Sequence, residues 1–221
     1  MSSGPAQQED LVRTVAATGV RDERVLAAFH KVPRELFVPP ALVERAYVDE
    51  PLPIPHRQVT TQPSLVAKML EALEIRGDEH VLEIGTGHGF QTALLAELAA
   101  FVWSVERWPD LAETGRENLA RFRTENAEVV VRDGSTGLPE HAPYDAIIVS
   151  AAAPEVPGPL TAQLGEGGRA VHPVGCGGNE RVILFEKRDD HLQAARTITG
   201  AYFVPLIGRF GSPSGKADRR I

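Results

Sequence analysis

The first third of the chain has the spacing of apolar residues that is typical of helices. Apolar positions recur at helical spacing over residues 8–18 and over residues 24–32, which predicts two amphipathic helices. Residues 33–55 are rich in proline and mixed in polarity, so they are predicted to form an irregular segment laid over another part of the molecule. A third helix is predicted to begin at Thr61-Gln62-Pro63, because proline is favoured in a first helical turn and an apolar stripe follows.

After Gly77 the pattern changes to short apolar runs that alternate with helical stretches. Such runs indicate strands buried on both faces, as in a parallel sheet that is covered by helices on both sides. Seven strands are predicted, over residues 80–84, 102–105, 128–131, 145–150, 169–173, 182–185 and 202–206. The last two leave little room for a crossover helix and are predicted to pair with each other in antiparallel fashion. The predicted fold class is therefore α/β, with a seven-stranded and mostly parallel sheet.

These patterns divide the chain into three parts. Residues 1–76 are predicted to be a helical and loop extension that covers the site, residues 77–208 the core, and residues 209–221 a disordered tail. A chain of 221 residues with 43% hydrophobic residues can bury one sizeable core. We therefore expect a single domain with a decorated N-terminus.

Charge and cysteine content argue against several kinds of partner. The formal net charge is −7, whereas binding to nucleic acid or anionic lipid needs a basic face that displaces counterions. No leader sequence is recognisable, and no apolar run approaches the roughly 20 residues that span a bilayer. Cys176 is the only cysteine, which excludes an intrachain disulfide and fits a reducing compartment. We expect a cytoplasmic monomer with no metal, no nucleic acid partner and no membrane contact.

The most informative segment is the loop that follows the first predicted strand of the sheet. Gly85, Gly87 and Gly89 let the backbone turn tightly and let a ligand approach without meeting a Cβ. Their G-x-G-x-G spacing differs from the G-x-G-x-x-G that places a dinucleotide pyrophosphate on a helix N-terminus. The spacing favours a ligand without phosphates, such as S-adenosylmethionine; the alternative is a plain strand-to-helix connection. His88, within the loop, is expected to point to solvent.

Two acidic residues follow the next two predicted strands. Glu106 ends the second strand, where its carboxylate can accept hydrogen bonds from both hydroxyls of a ribose. Asp133-Gly134 follows the third strand, where the carboxylate could meet an adenine amine and the glycine would leave room for the ring. The alternatives are a solvated strand end for Glu106 and an ordinary Asp-Gly turn for Asp133.

Nearly the whole chain, residues 20–208, resembles the protein-L-isoaspartate O-methyltransferase family. The resemblance is carried by VPRELFVPP, QPSLVAKM, VLEIGTGHGFQTALLAEL and YDAIIVSAAAPEVP. The segment VLEIGTG is shared by many methyltransferases, whereas the others are more particular to this family. The resemblance implies a doubly wound, Rossmann-like sheet with a reversed last strand and S-adenosylmethionine as cofactor. It also implies methylation of the α-carboxylate of L-isoaspartyl residues in damaged proteins and peptides.

In this family a serine hydroxyl stands just before the QP helix start, and Thr61 occupies that position here. Thr61 is therefore the predicted catalytic residue, which would position the substrate carboxylate; the alternative is that it caps the helix. An α-carboxylate has a pKa of about 3.5 and is already ionised at neutral pH, so the reaction needs no general base. The complete predicted cofactor site is Thr60, Thr61, Glu83, Gly85, Thr86, Gly87, Gly89, Glu106, Asp133 and Gly134.

The predicted substrate site lies around the same helix start and comprises His56, Arg57, Val59, Gln91 and Ser150. Pro55-His56-Arg57 stands where the family commonly has Gly-x-Gly. Arg57 would offer a planar donor fork to a carboxylate, or it is a surface charge. The reaction requires no proton transfer, so no such role is assigned to His56. The alternative is that His56 is a hydrogen-bonded structural group. Ser150 would otherwise be a buried strand residue.

Three other functions stay open at the level of sequence. The altered segment at residues 55–57 would suit an enzyme that methylates one aspartate of a ribosomally made peptide. A nicotinamide-binding oxidoreductase is disfavoured by the glycine spacing and by the lack of a Tyr-Lys or His-Asp pair for hydride transfer. A non-catalytic S-adenosylmethionine-binding protein is suggested only by Thr61 in place of serine.

Overall fold

The computed structural model describes residues 4–212. The N-terminal extension contains helices α1 (Gly4–Ala17) and α2 (Glu23–Lys31), the hairpin of β1 (Leu52–Ile54) and β2 (Gln58–Thr60), and helix α3 (Pro63–Leu73). The three predicted helices are confirmed, with ends shifted by a few residues. Most of the predicted disordered tail, residues 213–221, lies outside the described residues. No helix within residues 4–212 has the length and apolar character needed to cross a membrane.

The remaining elements alternate as expected for an α/β fold. They are β3 (His80–Ile84), α4 (Phe90–Ala96), β4 (Phe101–Glu106), α5 (Pro109–Phe122), β5 (Ala127–Val131), β6 (Tyr144–Val149), α6 (Gly158–Gln163), β7 (Leu164–Val174), β8 (Glu180–Arg188) and β9 (His191–Ala201). Within the described residues, the strands after α3 form one seven-stranded sheet in the order β5-β4-β3-β6-β7-β8-β9.

The sheet changes its winding direction at β3. This strand pairs in parallel with β4 on one side and with β6 on the other, so the chain first builds outward through β5 and then returns to the opposite side. The carboxyl ends of β3, β4 and β6 therefore meet at a topological switch point, where open α/β sheets bind their ligands. The predicted doubly wound, mostly parallel sheet is confirmed.

The predicted antiparallel pair is correct for one strand and wrong for the other. β8 is antiparallel to both of its neighbours, β7 and β9, so the reversed strand is the second-last and not the last. The seventh strand is His191–Ala201, whereas residues 202–206 form no strand and make a single bridge between Pro205 and Ala152. Their apolar character comes from packing against the core, where Phe203 and Leu206 are buried. β9 is an exposed edge strand without an alternating apolar pattern, which is why the sequence did not indicate it.

Alternate residues of the central strands pack on opposite faces of the sheet. One core cluster combines strand residues such as Val81 and Ile148 with residues of the N-terminal helices, including Leu11 and Phe29. The other combines Leu82, Ile84, Ile147 and Val149 with Leu160 of α6. The N-terminal extension therefore shares a hydrophobic core with the sheet and reaches the edge of the switch point.

Candidate functional site

Two adjoining cavities open at the switch point of the sheet. The first cavity has a volume of about 210 Å³ and the second about 70 Å³. Both are lined by Gly85 after β3, Glu106 at the end of β4 and Ser150 after β6. Gln58 of the hairpin also lines both cavities, so the N-terminal extension forms one wall of a continuous cleft.

The glycine loop, residues 85–89, has a backbone that requires glycine at three positions. Gly85, Gly87 and Gly89 have φ values of +100°, +53° and +90°, a region that side chains with a Cβ rarely adopt. A Cβ on Gly85 would lie 3.3 Å from the Cβ of Ser150, and one on Gly87 would lie 3.4 Å from Ile54 Cδ1. Glycine thus keeps open the space between the loop, the strand ends and the hairpin.

Glu106 is held in a fixed orientation at the junction of the two cavities. Its Oε2 accepts a hydrogen bond from the backbone N–H of Gly87 at 3.0 Å, and its Oε1 accepts one from that of Trp108, also at 3.0 Å. The residue is only 5% exposed. A carboxylate has about four acceptor sites, so two N–H bonds leave capacity for two hydroxyl groups of a ligand.

Glu83 lies beneath the glycine loop and outside the lining of the cleft. Its side chain is completely buried, and its oxygens accept hydrogen bonds from Thr92, Ser104 and Gln91. Burial raises the pKa of Glu83 to about 7. The hydroxyl of Ser104 is also hydrogen-bonded to that of Thr86, so this network supports the loop from below.

Gln91 connects Glu83 to the cleft. Its Nε2 donates to Glu83 Oε1 and to Ser150 Oγ, both at 3.0 Å. Ser150 is therefore oriented by a buried amide and lines both cavities. His88 does not point to solvent as expected: it is 7% exposed, and burial lowers the pKa of its imidazole. Its backbone oxygen accepts a hydrogen bond from Asn118 of α5, which packs the loop against that helix.

Asp133 and Gly134 occupy different environments. Gly134 lines the first cavity, whereas the carboxylate of Asp133 bonds to the N–H and hydroxyl of Ser135 and to the N–H of Arg209. Partial burial opposes ionisation, but the hydrogen bonds from Arg209 and Ser135 keep the pKa of Asp133 below its usual range. This carboxylate caps a turn and holds the C-terminal segment.

The residues that follow the hairpin turn have separate roles. The hydroxyl of Thr60 accepts hydrogen bonds from Arg34 Nη2 at 3.0 Å and from the N–H of Leu52 at 3.2 Å, so it holds the hairpin together. Thr61 lines the second cavity, beside the half-exposed Val59. Thr61 is not the cap of α3, because the N-cap residue is Gln62 and the first free N–H, of Ser64, donates to Asp49 at 2.8 Å.

The hairpin turn, residues 55–57, lies across the cleft from the start of α5. His56 and Arg57 line the first cavity. The ring of His56 stacks on the indole of Trp108, and its Nε2 donates to Asp110 at 2.8 Å. This hydrogen bond keeps the pKa of the exposed Asp110 carboxyl below its usual range. His56 therefore makes contacts with Trp108 and Asp110 of the kind expected for a hydrogen-bonded structural group.

Sequence reasoning missed Arg34, which is 1% exposed. Its guanidinium donates to the carbonyl oxygens of Ala46, Val48 and Glu50 and to Thr60. Burial lowers the pKa of Arg34 to about 10. No local pattern indicates this role, because the carbonyl partners come from an irregular segment. The only signal is an arginine between apolar positions in VPRELF.

Comparison with known proteins gives matches over nearly the whole chain. The family model described as protein-L-isoaspartate(D-aspartate) O-methyltransferase matches residues 6–211. The chain is 54% identical over 206 residues to a protein-L-isoaspartate O-methyltransferase of Methanoculleus marisnigri, which covers 93% of each chain. It is 45% identical over 206 residues to a protein of the same name from Trichlorobacter lovleyi, covering 93% of this chain and 95% of that one.

Two solved structures have a similar fold. One is a protein-L-isoaspartate O-methyltransferase with a TM-score of 0.82 and 31% identity, covering 92% of this chain and 67% of that chain. The other is a Plasmodium falciparum protein in complex with S-adenosyl-L-homocysteine, with a TM-score of 0.79 and 21% identity. That match covers 90% of this chain and 98% of the other, and at this identity it supports the fold alone.

Proposed function

We propose a function from the premise that this chain belongs to the protein-L-isoaspartate(D-aspartate) O-methyltransferase family. It is an S-adenosylmethionine-dependent enzyme that methylates the α-carboxylate of L-isoaspartyl residues in proteins and peptides. The observation that carries this conclusion is the cleft at the switch point, with a glycine cradle on one side and the fixed carboxylate of Glu106 at its centre.

The residues of the cleft fit S-adenosylmethionine. Gly85 and Gly87 keep open a space that a Cβ would fill, and Glu106 has acceptor capacity for two ribose hydroxyls. We assign the ribose to Glu106. The adenine is assigned to the first cavity, which Gly134 and Trp108 line. The methionine moiety is assigned to the second cavity beside Thr86 and Thr61.

In this proposal Glu83 and Asp133 do not contact the cofactor and act through neighbouring residues. Glu83 supports the glycine loop through Ser104 and orients Gln91, without meeting the ligand. Asp133 shapes the wall by holding Ser135 and the N–H of Arg209. A Cβ on Gly134 would press against the side chain of Ile84, which also lines the first cavity, so glycine is required in the wall beside which we place the adenine ring.

S-adenosylmethionine supplies an electrophilic methyl group bound to a sulfonium. The attacking isoaspartyl α-carboxylate has a pKa of about 3.5 and is ionised at neutral pH, so the protein has no proton to remove. Its task is to hold one carboxylate oxygen in line with the methyl group, a positioning effect that can contribute about 7–11 kcal/mol when the reacting groups are well oriented.

We assign substrate positioning to the hydroxyl groups of Thr61 and Ser150, which line the second cavity together. The hydroxyl of Thr61 makes no hydrogen bond to any residue in the range 4–212, whereas Ser150 is oriented by Gln91. The hydroxyl of Thr61 is therefore available as a donor. The hydroxyl of Ser150 is held where the two cavities adjoin. Val59 and Arg57 lie beside them at the rim of the cleft.

The function is tested by transfer of labelled methyl groups from S-adenosylmethionine to a pair of peptides. The peptides have the same sequence and differ only in an isoaspartyl or a normal aspartyl residue. We expect base-labile labelling of the isoaspartyl peptide alone, because only an isoaspartyl residue has a free α-carboxylate. In the aspartyl peptide the α-carboxyl group forms the peptide bond. Equal labelling of both peptides, or labelling of neither, would contradict the proposed activity.

Two further properties belong to this proposal. We propose that the enzyme acts as a monomer and in the cytoplasm. The exposed free thiol of Cys176 supports a reducing compartment. The two register shifts in the pairing of edge strand β9 support a monomer, since such irregularities discourage edge-to-edge pairing of sheets.

A further inference from the structure

A contact of the hairpin turn joins the N-terminal extension to the sheet across the cleft. The ring of His56 stacks on Trp108 with the ring centroids 3.9 Å apart and the planes inclined by only 4°. Its Nε2 also lies 2.9 and 2.8 Å from the two carboxylate oxygens of Asp110. Trp108 and Asp110 belong to the start of α5, so one side chain fastens the turn to the opposite wall by two different interactions.

The backbone of this turn is one that its residues do not favour. His56 and Arg57 have φ values of 59° and 55°. This left-handed conformation is unfavourable for residues with a Cβ. Such a conformation persists where surrounding contacts hold it. The stack on Trp108 and the hydrogen bond to Asp110 are contacts of this kind, and they come from a segment more than fifty positions away in the sequence.

The same contact forms part of the wall of the first cavity. His56, Arg57 and Gln58 line the first cavity together with Glu106 and Trp108. The hairpin turn cannot move away from α5 without separating the two rings and breaking the hydrogen bond. Asp110 lines neither cavity and its side chain is 60% exposed, so its contact with the wall of the first cavity is through His56.

We propose that His56 is a positioning residue that retains S-adenosylmethionine in the cleft by fastening the hairpin turn to Trp108 and Asp110. This inference rests on the proposed function and adds to it a determinant of cofactor release. His56 transfers no proton in this role, because its Nε2 is bonded to Asp110 and its ring face is covered by Trp108. The fastened turn closes the first cavity, and release of the cofactor requires the turn to lift.

The test measures dissociation of radiolabelled S-adenosylmethionine after a chase with unlabelled cofactor. The variants are His56→Ala, Asp110→Ala and the double variant of the full-length protein. His141→Ala is the matched control, since His141 stacks on Trp103 in the same way, with centroids 3.5 Å apart, and lines neither cavity.

We expect dissociation to be faster by roughly fivefold to tenfold in His56→Ala, because this variant loses both an aromatic pair and a hydrogen bond. Asp110→Ala should increase the rate of dissociation by roughly twofold to threefold, the lower end of the range for one hydrogen bond. The double variant should resemble His56→Ala, because both residues act through one contact. His141→Ala should release the cofactor at the wild-type rate. KM for S-adenosylmethionine should rise more than kcat falls at saturating cofactor.

Dissociation from His56→Ala at the wild-type rate would overturn the inference while leaving the proposed function intact. Faster release in His56→Ala with no change in Asp110→Ala would also overturn the inference as stated, because the hydrogen bond to Asp110 would then not fasten the turn. A wild-type protein that binds no S-adenosylmethionine would instead overturn the proposed function, and this inference with it.

Discussion

At the scale of single residues, Glu106 is oriented before any ligand reaches the cleft. Backbone N–H groups of Gly87 and Trp108 hold its two oxygens, so binding of a ribose would not have to immobilise the side chain. Thr61 differs, because its hydroxyl has no partner within the described part of the chain and lines the smaller cavity. The two residues should therefore affect different steps.

Replacement of these two residues should separate binding from chemistry. Glu106→Ala should raise the Kd for S-adenosylmethionine by roughly 10-fold to 100-fold, the range for hydrogen bonds to a charged group. Thr61→Val should leave that Kd nearly unchanged and lower kcat by on the order of 100-fold, because it removes a donor needed at the transferring methyl group. Isothermal titration calorimetry and steady-state kinetics measure the two effects.

Thr61→Ser is the matched control, since it keeps the hydroxyl and should retain most of the wild-type kcat. If Thr61→Val weakened cofactor binding more than Glu106→Ala did, the assignment of the two roles would be wrong.

His172 should make the protein sensitive to acid. Burial lowers the pKa of this histidine from 6.5 to about 4, although the hydrogen bond to Pro173 O opposes the shift. Between these values the unfolded chain binds more protons than the native one, so stability falls as the pH falls from 6.5 towards 4. The contribution of His172 to this loss between pH 7.5 and pH 5 is about 2 kcal/mol.

Urea unfolding of wild type and His172→Asn at both pH values checks this expectation. The free energy of unfolding of the variant should depend less on pH by that amount. His191→Asn is the matched substitution at an exposed position, at the start of β9. An equal pH dependence in wild type and His172→Asn would contradict the role of this buried imidazole.

At the scale of secondary structure elements, the start of α3 is held by a residue from the preceding irregular segment. Asp49 accepts hydrogen bonds from the N–H of Ser64 and from the side chain of Gln62. Thr61 immediately precedes these residues, so the position of the proposed catalytic hydroxyl depends on this contact. Gln62 and Pro63 alone predicted where the helix begins, but not what fixes it.

Asp49→Ala should cost about 1 kcal/mol of stability, as loss of a helix cap does, and should also lower kcat severalfold. Asp22→Ala is the matched control. It removes the cap of α2, where Asp22 accepts a hydrogen bond from the N–H of Arg24, far from the cleft. Chemical denaturation should give similar losses of stability for the two variants, and kinetics should give a loss of kcat for Asp49→Ala only. A similar kcat in both variants would show that the cap does not position Thr61.

At the scale of the whole molecule, the N-terminal extension and the sheet are joined by a common core. Leu11, Phe29, Leu70 and Phe90 belong to the same buried cluster as the strand residue Val171. In addition, Arg24 of α2 donates to the carbonyl oxygens of Ile75 and Leu98. The division at residue 76 is thus a change in the sequence pattern. Residues on both sides of it pack in one core.

Thermal unfolding should therefore be a single cooperative transition, because neither part can unfold without exposing the apolar surface of the other. Differential scanning calorimetry should give a calorimetric enthalpy equal to the van't Hoff enthalpy. Two resolved transitions, or a folded fragment of residues 77–208 after limited proteolysis, would contradict a shared core.

The sequence by itself determined the features that depend on local pattern. The buried strands of the parallel sheet, the glycine loop, the helix that begins at Pro63 and the acid at the end of β4 were all indicated by spacing and residue type. These signals are local because a strand buried on both faces and a turn that needs glycine restrict the residues in the segment itself. The resemblance to a family rests on the same segments.

The tertiary structure alone decided which side chains meet across the cleft. His56 contacts Trp108 and Asp110, Arg34 binds three carbonyl groups and Thr60, and Asp133 holds the C-terminal segment. The exposed strand β9 was also indicated only by its pairing with β8. Each of these depends on partners distant in the chain, and a residue type gives no information about a partner that folding brings to it. The residues that hold the site in place were therefore found only in the folded molecule.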